Sequence, residues 1–452
     1  MYLPDTVLTL LEELEHAGVE GYVVGGCVRD ALMGDQPHDY DIAAAAPPQR
    51  LCEIFADYRL IKTGMQHGTV TVLAEGQPYE ITAFRVDGSY SDGRHPDAVS
   101  FCGDIRADLA RRDFTINAMA YHPQRGLVDP FGGQSDLQKG ILRAVGQPHM
   151  RFTEDALRIL RLLRFAARYG FTVEADTAQA ALHLRERLDT IARERVFSEL
   201  MGMLMGEHVG DVLLQFAPIL FQLIPELAEA YAFPQNTPYH QYDVWRHIVG
   251  TVACAKKNAD VRLTMLLHDV AKPQCFCEEN GVAHFPAHPA VGAAMAEKIL
   301  ARMRCDRATR ERVVRLITYH DVHISPDAVS VKKWLNRLGE TELFLLLDCQ
   351  AADASAKSDA YRAVQLQQVA ALRKTASALL DSGACFRLCD LAVNGKDLLA
   401  LGAKPGREMG ALLQQLLDEV MEEKIQNTPK ALENRAKSLL ATGGCGAASL
   451  NV

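Results

Sequence analysis

The chain has 452 residues, 48% of them apolar and 23% charged, which is enough for more than one buried core and typical of a globular protein. Its formal net charge of −9 excludes a non-specific basic coat for nucleic acid, so an RNA partner must be held by a local basic face. No apolar run reaches the ~20 residues that span a bilayer, so no membrane role is expected. The eleven scattered cysteines read as reduced, cytoplasmic thiols rather than a disulfide framework.

Residues 1–17 carry Glu12, Glu13 and Glu15 and read as an amphipathic helix, not a signal peptide. Residues 19–24 follow as a short apolar strand that ends at Gly25-Gly26, where the backbone can approach a ligand closely. A helix should start directly after the glycines, over Val28 to Met33, with its free N–H groups favouring a phosphate. Arg29 adds a cationic fork for the same anion. Asp39 and Asp41 come next, with one residue between them. On a strand they would point to one face, and their repulsion is relieved by a divalent cation such as Mg²⁺, with substrate phosphates completing its shell.

Residues 47–57 read as a helix, and Thr69–Leu73 and Tyr79–Phe84 alternate like strands. Glu80, on the second of these, is either a third carboxylate beside the aspartates or an edge-strand glutamate facing water. The Gly- and Pro-containing stretch 86–96 reads as a flexible loop. In Asp108-Leu109-Ala110-Arg111-Arg112-Asp113-Phe114-Thr115-Ile116-Asn117, Arg112 can pair with a triphosphate bidentately. Asp113 can hold a ribose hydroxyl or orient the arginine, and Asn117 brings both a donor and an acceptor.

Over 151–169, Thr153 is expected to cap a helix whose first turn holds Glu154 and Asp155. Ile159, Leu160, Leu163, Ala166 and Ala167 form its buried stripe. Asp155, Arg158, Arg161 and Arg164 occupy the opposite side, and three arginines against one acid suggest an anionic partner. Residues 172–235 are helical in pattern, and Arg185, Arg187, Arg193 and Arg195 form either a phosphate-facing surface or an ordinary charged face. Histidines then recur at His247, His268-Asp269, His288 and His320, with Asp353 further on; 361–440 is again helical, and 441–452 reads as disordered.

These motifs resemble known families. Strand, Gly-Gly, x-x-Arg-Asp, loop and Asp-x-Asp resemble the head of the DNA-polymerase-β-like nucleotidyltransferases. The string VVGGCVRDALMGDQPHDYDI, with DLARRDFTINAMA and Glu154-Asp155-x-x-Arg158, resembles the class II tRNA nucleotidyltransferase and bacterial poly(A) polymerase family. The resemblance implies an α+β fold, with a small mixed-sheet head over 1–145 and an all-helical remainder: neck and body over 146–236, an HD domain over 237–360 and a tail over 361–440. It implies CCA addition to tRNA from CTP and ATP, with no DNA partner. Asp39 and Asp41 would hold two Mg²⁺ ions. Gly26, Arg29, Arg112 and Asp113 would grip triphosphate and sugar. Asp155 and Arg158 would read the base by a Watson–Crick-like edge, backed by Arg161 and Arg164. Loop 86–96 would serve the switch from C to A addition.

The histidine series resembles an HD phosphohydrolase domain. It implies a second divalent metal on His247, His268, Asp269 and Asp353, with His288 and His320 as accessory residues, and a metal-bound hydroxide acting on phosphate esters. A poly(A) polymerase, a CC-only enzyme, or a protein whose HD part alone works are the competing readings.

Overall fold

The computed structural model describes residues 1–87, 99–237 and 241–441. Most of the expected loop at 86–96 and the C-terminal residues 442–452 therefore lie outside the described residues. The chain forms two compact units, Met1–Glu229 with Ile299–Cys305, and Ala230–Lys298 with Asp306–Val452.

In the first unit, α1 (Asp5–His16) buries Val7, Leu10, Leu11 and Leu14. The head then runs β1 (Gly21–Val24), α2 (Gly26–Leu32), β2 (Asp41–Ala44), α3 (Pro48–Ile54), β3 (Arg59–Ile61), β4 (Thr69–Ala74) and β5 (Gln77–Ala83). A small hairpin of β6 (Arg85–Asp87) and β7 (Val99–Phe101), helix α4 (Ile105–Ala110), β8 (Ala120–His122), β9 (Gly126–Val128) and α5 (Gly133–Lys139) complete it. The main sheet has the order β3-β4-β5-β2-β1-β8-β9. It is mixed, because β2 and β5 are parallel while the other pairs are antiparallel. Alternation along β4 sends Val70, Val72 and Ala74 inward, as a period of two requires. One apolar core, with α1 and α3, covers one side; another, built on Tyr22, Val24, Phe84 and Leu109, covers the other.

The register places the chemistry. Val24, the last residue of β1, pairs with Asp41 on β2 and with Ala120 on β8. Ile42 pairs with Ile81, so Asp41 and Glu80 are neighbours across β2 and β5. The glycine turn, Asp41 and Glu80 therefore share one end of the sheet. Glu80 does not lie on an edge strand, since β5 sits between β4 and β2.

The helical part of this unit holds β10 (Ile141–Leu142), α6 (Pro148–Glu154), α7 (Leu157–Tyr169), β11 (Thr172–Val173), α8 (Ala175–His183), α9 (Arg193–Leu204), α10 (Val209–Gln215) and α11 (Ala217–Leu223). Here one sequence expectation is corrected. Thr153 does not cap a helix; it lies in the last turn of α6, and its hydroxyl donates to the His149 carbonyl at 2.8 Å. The helix breaks at Asp155, whose backbone is extended (φ −141°, ψ 104°). The carboxylate of Asp155 accepts from the Leu157 N–H at 3.0 Å, which satisfies an otherwise orphaned amide at the start of α7. The expected stripe Ile159, Leu160, Leu163, Ala166 and Ala167 is buried along α7, together with Leu157, Leu162 and Phe165.

The second unit is mostly helical: α12 (Val244–Cys254), α13 (Ala259–Leu267), a hairpin of β12 (Cys277–Glu279) and β13 (Val282–His284), α14 (His288–Arg302) as far as Lys298, α15 (Arg307–Tyr319), α16 (Ala328–Ser355), α17 (Asp359–Asp381), α18 (Gly395–Ala400), α19 (Arg407–Met421) and α20 (Pro429–Ala441). Its helix starts are marked in the sequence. Asp243, Asn258, Asp306 and Asp327 each accept from a backbone N–H in the first turn that follows. Helix α16 is interrupted at Gly339, where φ is +75°. Among the described residues every cysteine is free, and no helix is long and apolar enough to cross a membrane.

Candidate functional site

The centre of the first unit is a cleft of about 500 Å³ lined by Gly25, Gly26, Arg29, Asp41, Arg112, Asp113, Asn117, Asp155, Arg158, Arg161 and Arg164, with Phe165 and further arginines. Residues from the glycine turn, β2, the Arg-Arg-Asp segment and α7 thus converge. Asp39 is not among the lining residues. It is exposed in the loop before β2.

Gly25 turns the chain from β1 into α2 with φ +76°, a conformation other residues rarely hold. A Cβ placed there would also lie 2.8 Å from Nη1 of Arg112. The helix after it starts at Gly26, so its first amides face the cleft.

The arginines are organised by buried acceptors. Asp108, fully buried, takes Arg111 at 2.7 Å and Arg112 at 3.2 Å. Nε of Arg112 is buried without a hydrogen-bond partner. Arg29, expected as an open phosphate fork, is only 5% exposed. It donates to Asn117 Oδ1 and pairs with Asp30 at 2.7 Å, and its guanidinium lies over the rings of Phe165 and Tyr169. Asp113 accepts from the Phe114 N–H, from Asn117 and from Arg161, the last at 2.6 Å. Burial alone would raise the Asp113 carboxyl; Arg161 and the hydrogen bonds outweigh it and hold the group below its ordinary range. Asp113 therefore holds Arg161 and not the adjacent Arg112, which is held by Asp108. Arg164 pairs with Glu199 at 2.9 Å.

At the break between α6 and α7, Arg158 donates to Glu154 at 2.8 Å and to the Arg151 and Arg111 carbonyls at 3.0 Å. Asp155 keeps one oxygen on the Leu157 amide, and Arg195 lies 3.6 Å from the other. An anionic acceptor and a planar donor thus stand three residues apart on one wall, each fixed by its own partners.

Asp41 lines the cleft on its acidic side, and Glu80 and Asp39 lie near enough to act on it. As a residue Asp41 is exposed, yet its carboxyl is crowded enough to be raised above its ordinary value. Desolvation is the main cause, with Glu80 and Asp39 adding to it and Arg112 opposing. Mutually repelling carboxylates with one nearby arginine are a donor set suited to a hard divalent cation.

Sequence reading missed Phe165. Arg29, Arg161 and Arg164 lie 5.1 to 5.5 Å from its centroid, so one ring organises three guanidiniums. The signal was an aromatic inside the arginine stripe of α7. It also missed Asp108, whose acidic side chain sits within an otherwise basic motif.

The second unit gathers its own cluster. His247 Nε2 lies 3.0 Å from Asp353 Oδ1 and 3.4 Å from Asp269 Oδ2, and His268 Nε2 lies 3.2 Å from Asp269 Oδ2. His288 and His320 approach the other Asp269 oxygen at 3.5 and 3.9 Å. Two sets of potential ligand atoms, His247/His268/Asp353 and His268/Asp269/His320, each fall within 4.8 Å; no other such group occurs among the described residues. His268, His288 and His320 each place Nδ1 2.7 to 2.8 Å from the carbonyl three residues earlier. A ring whose Nδ1 donates to a carbonyl presents a bare Nε2 inward, the arrangement of a metal-binding imidazole. Nε2 of His268 is buried with no hydrogen-bond partner. Burial, aided by His268, pushes His320 down to about 3, so that ring is neutral.

Comparison with known proteins places these observations. Residues 21–143 match the family model described as "Poly A polymerase head domain", and 170–231 match "Probable RNA and SrmB- binding site of polymerase A". Residues 288–436 match the model for tRNA nucleotidyltransferase domain 2. That stretch includes His288, His320 and Asp353 but not His247, His268 or Asp269. The chain is 32% identical over 435 residues to the CCA-adding enzyme of Ligilactobacillus salivarius, covering 96% of each. The structure of the Bacillus stearothermophilus CCA-adding enzyme in complex with CTP is similar over 98% of this chain and 99% of that one, with 26% identity and a TM-score of 0.71. The Thermotoga maritima CCA-adding enzyme complexed with tRNA shares the fold, with 20% identity and a TM-score of 0.58 over 97% and 96%.

Proposed function

Because the chain belongs to the family of CCA-adding tRNA nucleotidyltransferases, we propose that it completes the 3′ end of tRNA in the cytoplasm, using CTP and then ATP without a nucleic-acid template. The tRNA 3′-hydroxyl attacks the α-phosphate, and pyrophosphate leaves. The observation that carries this reading is the single cleft in which the Gly25–Gly26 turn, Asp41, the arginine fan and the Asp155/Arg158 pair meet.

Each part has a physical task. The amides at the start of α2, Arg112 and the guanidiniums around Phe165 receive the triphosphate, pre-oriented by Asp108, Asn117 and Asp113 so that little order is lost on binding. Asp155 accepts from the exocyclic amino group of C or A, and Arg158 donates to the ring nitrogen beside it. U and G lack that arrangement. Members of the family use divalent metal; here Asp39 and Asp41, with Glu80 as a third carboxylate, would hold Mg²⁺, which neutralises phosphate charge and lowers the pKa of the attacking hydroxyl. We read 1–145 as the head, 146–236 as neck and body, and 361–440 as a tail, and assign the tRNA contact to basic faces of the helical parts. Relatives matched along their whole length favour CCA addition over poly(A) synthesis, although the head model is named for the latter.

The test is extension of a tRNA transcript lacking its last three nucleotides, with Mg²⁺ and with CTP, ATP or both, read at nucleotide resolution. Growth by two with CTP and by three with both is expected. A stop at two with both nucleotides would mean a CC-only enzyme, and a long ladder with ATP alone a poly(A) polymerase. A second reading, for 237–360 as an HD domain, is favoured by the inward-facing imidazoles: His247, His268, Asp269 and Asp353 would hold a divalent metal, which would activate a water toward phosphate esters.

A further inference from the structure

The histidine–aspartate cluster of the second unit contains two lysines that its ligand chemistry does not require. Lys272 Nζ lies 2.7 Å from Asp269 Oδ2. It is locked in place, since it also donates to Gln235 at 2.8 Å and lies over the ring of Phe285. Lys357 is different. Its ammonium lies 2.6 Å from Asp353 Oδ2, and no other hydrogen bond or ion pair holds it among the described residues. Asp353 Oδ1 faces His247 at 3.0 Å, so the lysine grips the carboxylate that would be a metal ligand from its other side.

Lys357 also has somewhere to go. It stands where two cavities of about 230 and 330 Å³ meet, each lined by His320, Asp321, Asp353, Lys357 and Gln365. Asp321 makes no hydrogen bond or ion pair to the described protein and borders both cavities, so it is a ready second partner for the ammonium. A side chain with four rotatable bonds can cross that space without backbone motion.

We propose that Lys357 is an internal counter-cation for the His247/His268/Asp269/Asp353 centre: it neutralises Asp353 in the metal-free protein, and a divalent metal must displace it, turning its ammonium into the cavities toward Asp321 or the phosphate of an incoming ester. The proposal rests on the reading of this cluster as a metal centre. Physically, an ammonium on Oδ2 draws off the negative charge that a cation on Oδ1 would use, so removal of the lysine should free affinity for the metal.

The experiment is calorimetric titration of the metal-free full-length protein with Mn²⁺, for wild type, Lys357→Met and the control Lys256→Met. Lys357→Met should bind Mn²⁺ about tenfold more tightly than wild type. Its metal-free melting temperature should fall, and Mn²⁺ should raise it by more than in wild type. Lys256→Met should show no such gain, because its partner Asp348 lies outside the ligand set. Lys357→Arg, which keeps the charge and grips a carboxylate bidentately, should weaken Mn²⁺ binding and serves if the methionine variant fails to fold. Equal Mn²⁺ affinity in wild type and the Lys357 variants overturns the counter-cation role alone. No Mn²⁺ binding by any of them overturns the metal reading itself, and the counter-cation role with it.

Discussion

A methyl group on Gly25 would stand 2.8 Å from Nη1 of Arg112, although the two residues are 87 positions apart (112 − 25). The turn that starts α2 and the arginine of the Arg-Arg-Asp motif therefore share one space, and the backbone must be bare for the guanidinium to lie there. Gly25→Ala combines this clash with an unfavourable φ of +76°. It should cost roughly 1–3 kcal/mol of stability. Displacement of Arg112 by about an ångström should lower nucleotide incorporation on the order of a hundredfold. Urea denaturation and single-turnover extension of tRNA would measure the two effects separately.

The acidic side of the cleft predicts opposite signs for activity and stability. Asp41 is raised by desolvation and by Glu80 and Asp39, so its charge is held at a cost to the fold at neutral pH. Asp41→Asn should leave the melting temperature unchanged or higher in metal-free buffer. Incorporation of CMP should fall roughly a thousandfold, because a metal-held charge contributes several kcal/mol to such transfers. An activity near wild type would remove Asp41 from the metal site.

Acid should loosen the arginine fan through Asp113. Its carboxyl is held low against burial by Arg161, so its folded-state value lies below the ordinary ~3.9 of an unfolded aspartate. The sign follows: the stabilisation is complete above the unfolded value and is lost as the pH falls through the folded one. Arg161→Met removes the counter-ion and leaves Asp113 buried on its Phe114 and Asn117 hydrogen bonds alone. A cost of about 3 kcal/mol is expected, at the low end for buried pairs because the Arg161 side chain is 34% exposed. Thermal melts of both proteins from pH 7 to pH 3 would test this: the difference should shrink as Asp113 protonates in the variant.

Base choice should separate from chemistry at the α6–α7 break. Replacing Asp155 and Arg158 together by alanine should reduce the preference for CTP and ATP over UTP and GTP by about 10- to 100-fold, the worth of a bidentate base contact. The loss with CTP itself should be smaller. Competition between labelled nucleotides on one tRNA primer measures this, and an unchanged preference would exclude the pair as the base reader.

Much of the architecture was legible in the sequence because its causes are local. The apolar stripe of α7 and the alternation of β4 follow from helix and strand periods. The glycine turn, the Asp-x-Asp pair and the clustered basic and histidine motifs announced which chemistry the chain carries. The stop at Asp155 also has a local cause, a side chain competing for a nearby amide, but Thr153 offered an equally good capping signal two residues earlier.

The contacts that decide how those residues act are long-range. Arg29 meets Asn117 across 88 positions, Arg161 meets Asp113 across 48, and His247 meets Asp353 across 106. Whether an arginine is an open phosphate fork or a buried, ring-stacked strut depends on such partners, and no spacing rule encodes them. The sequence by itself determined the set of charged and aromatic groups and the elements that carry them. Tertiary packing decided that Phe165 gathers three guanidiniums, that Glu80 lies beside Asp41, and that His247 meets Asp353, because only folding sets the distances and the water exclusion on which their electrostatics depend.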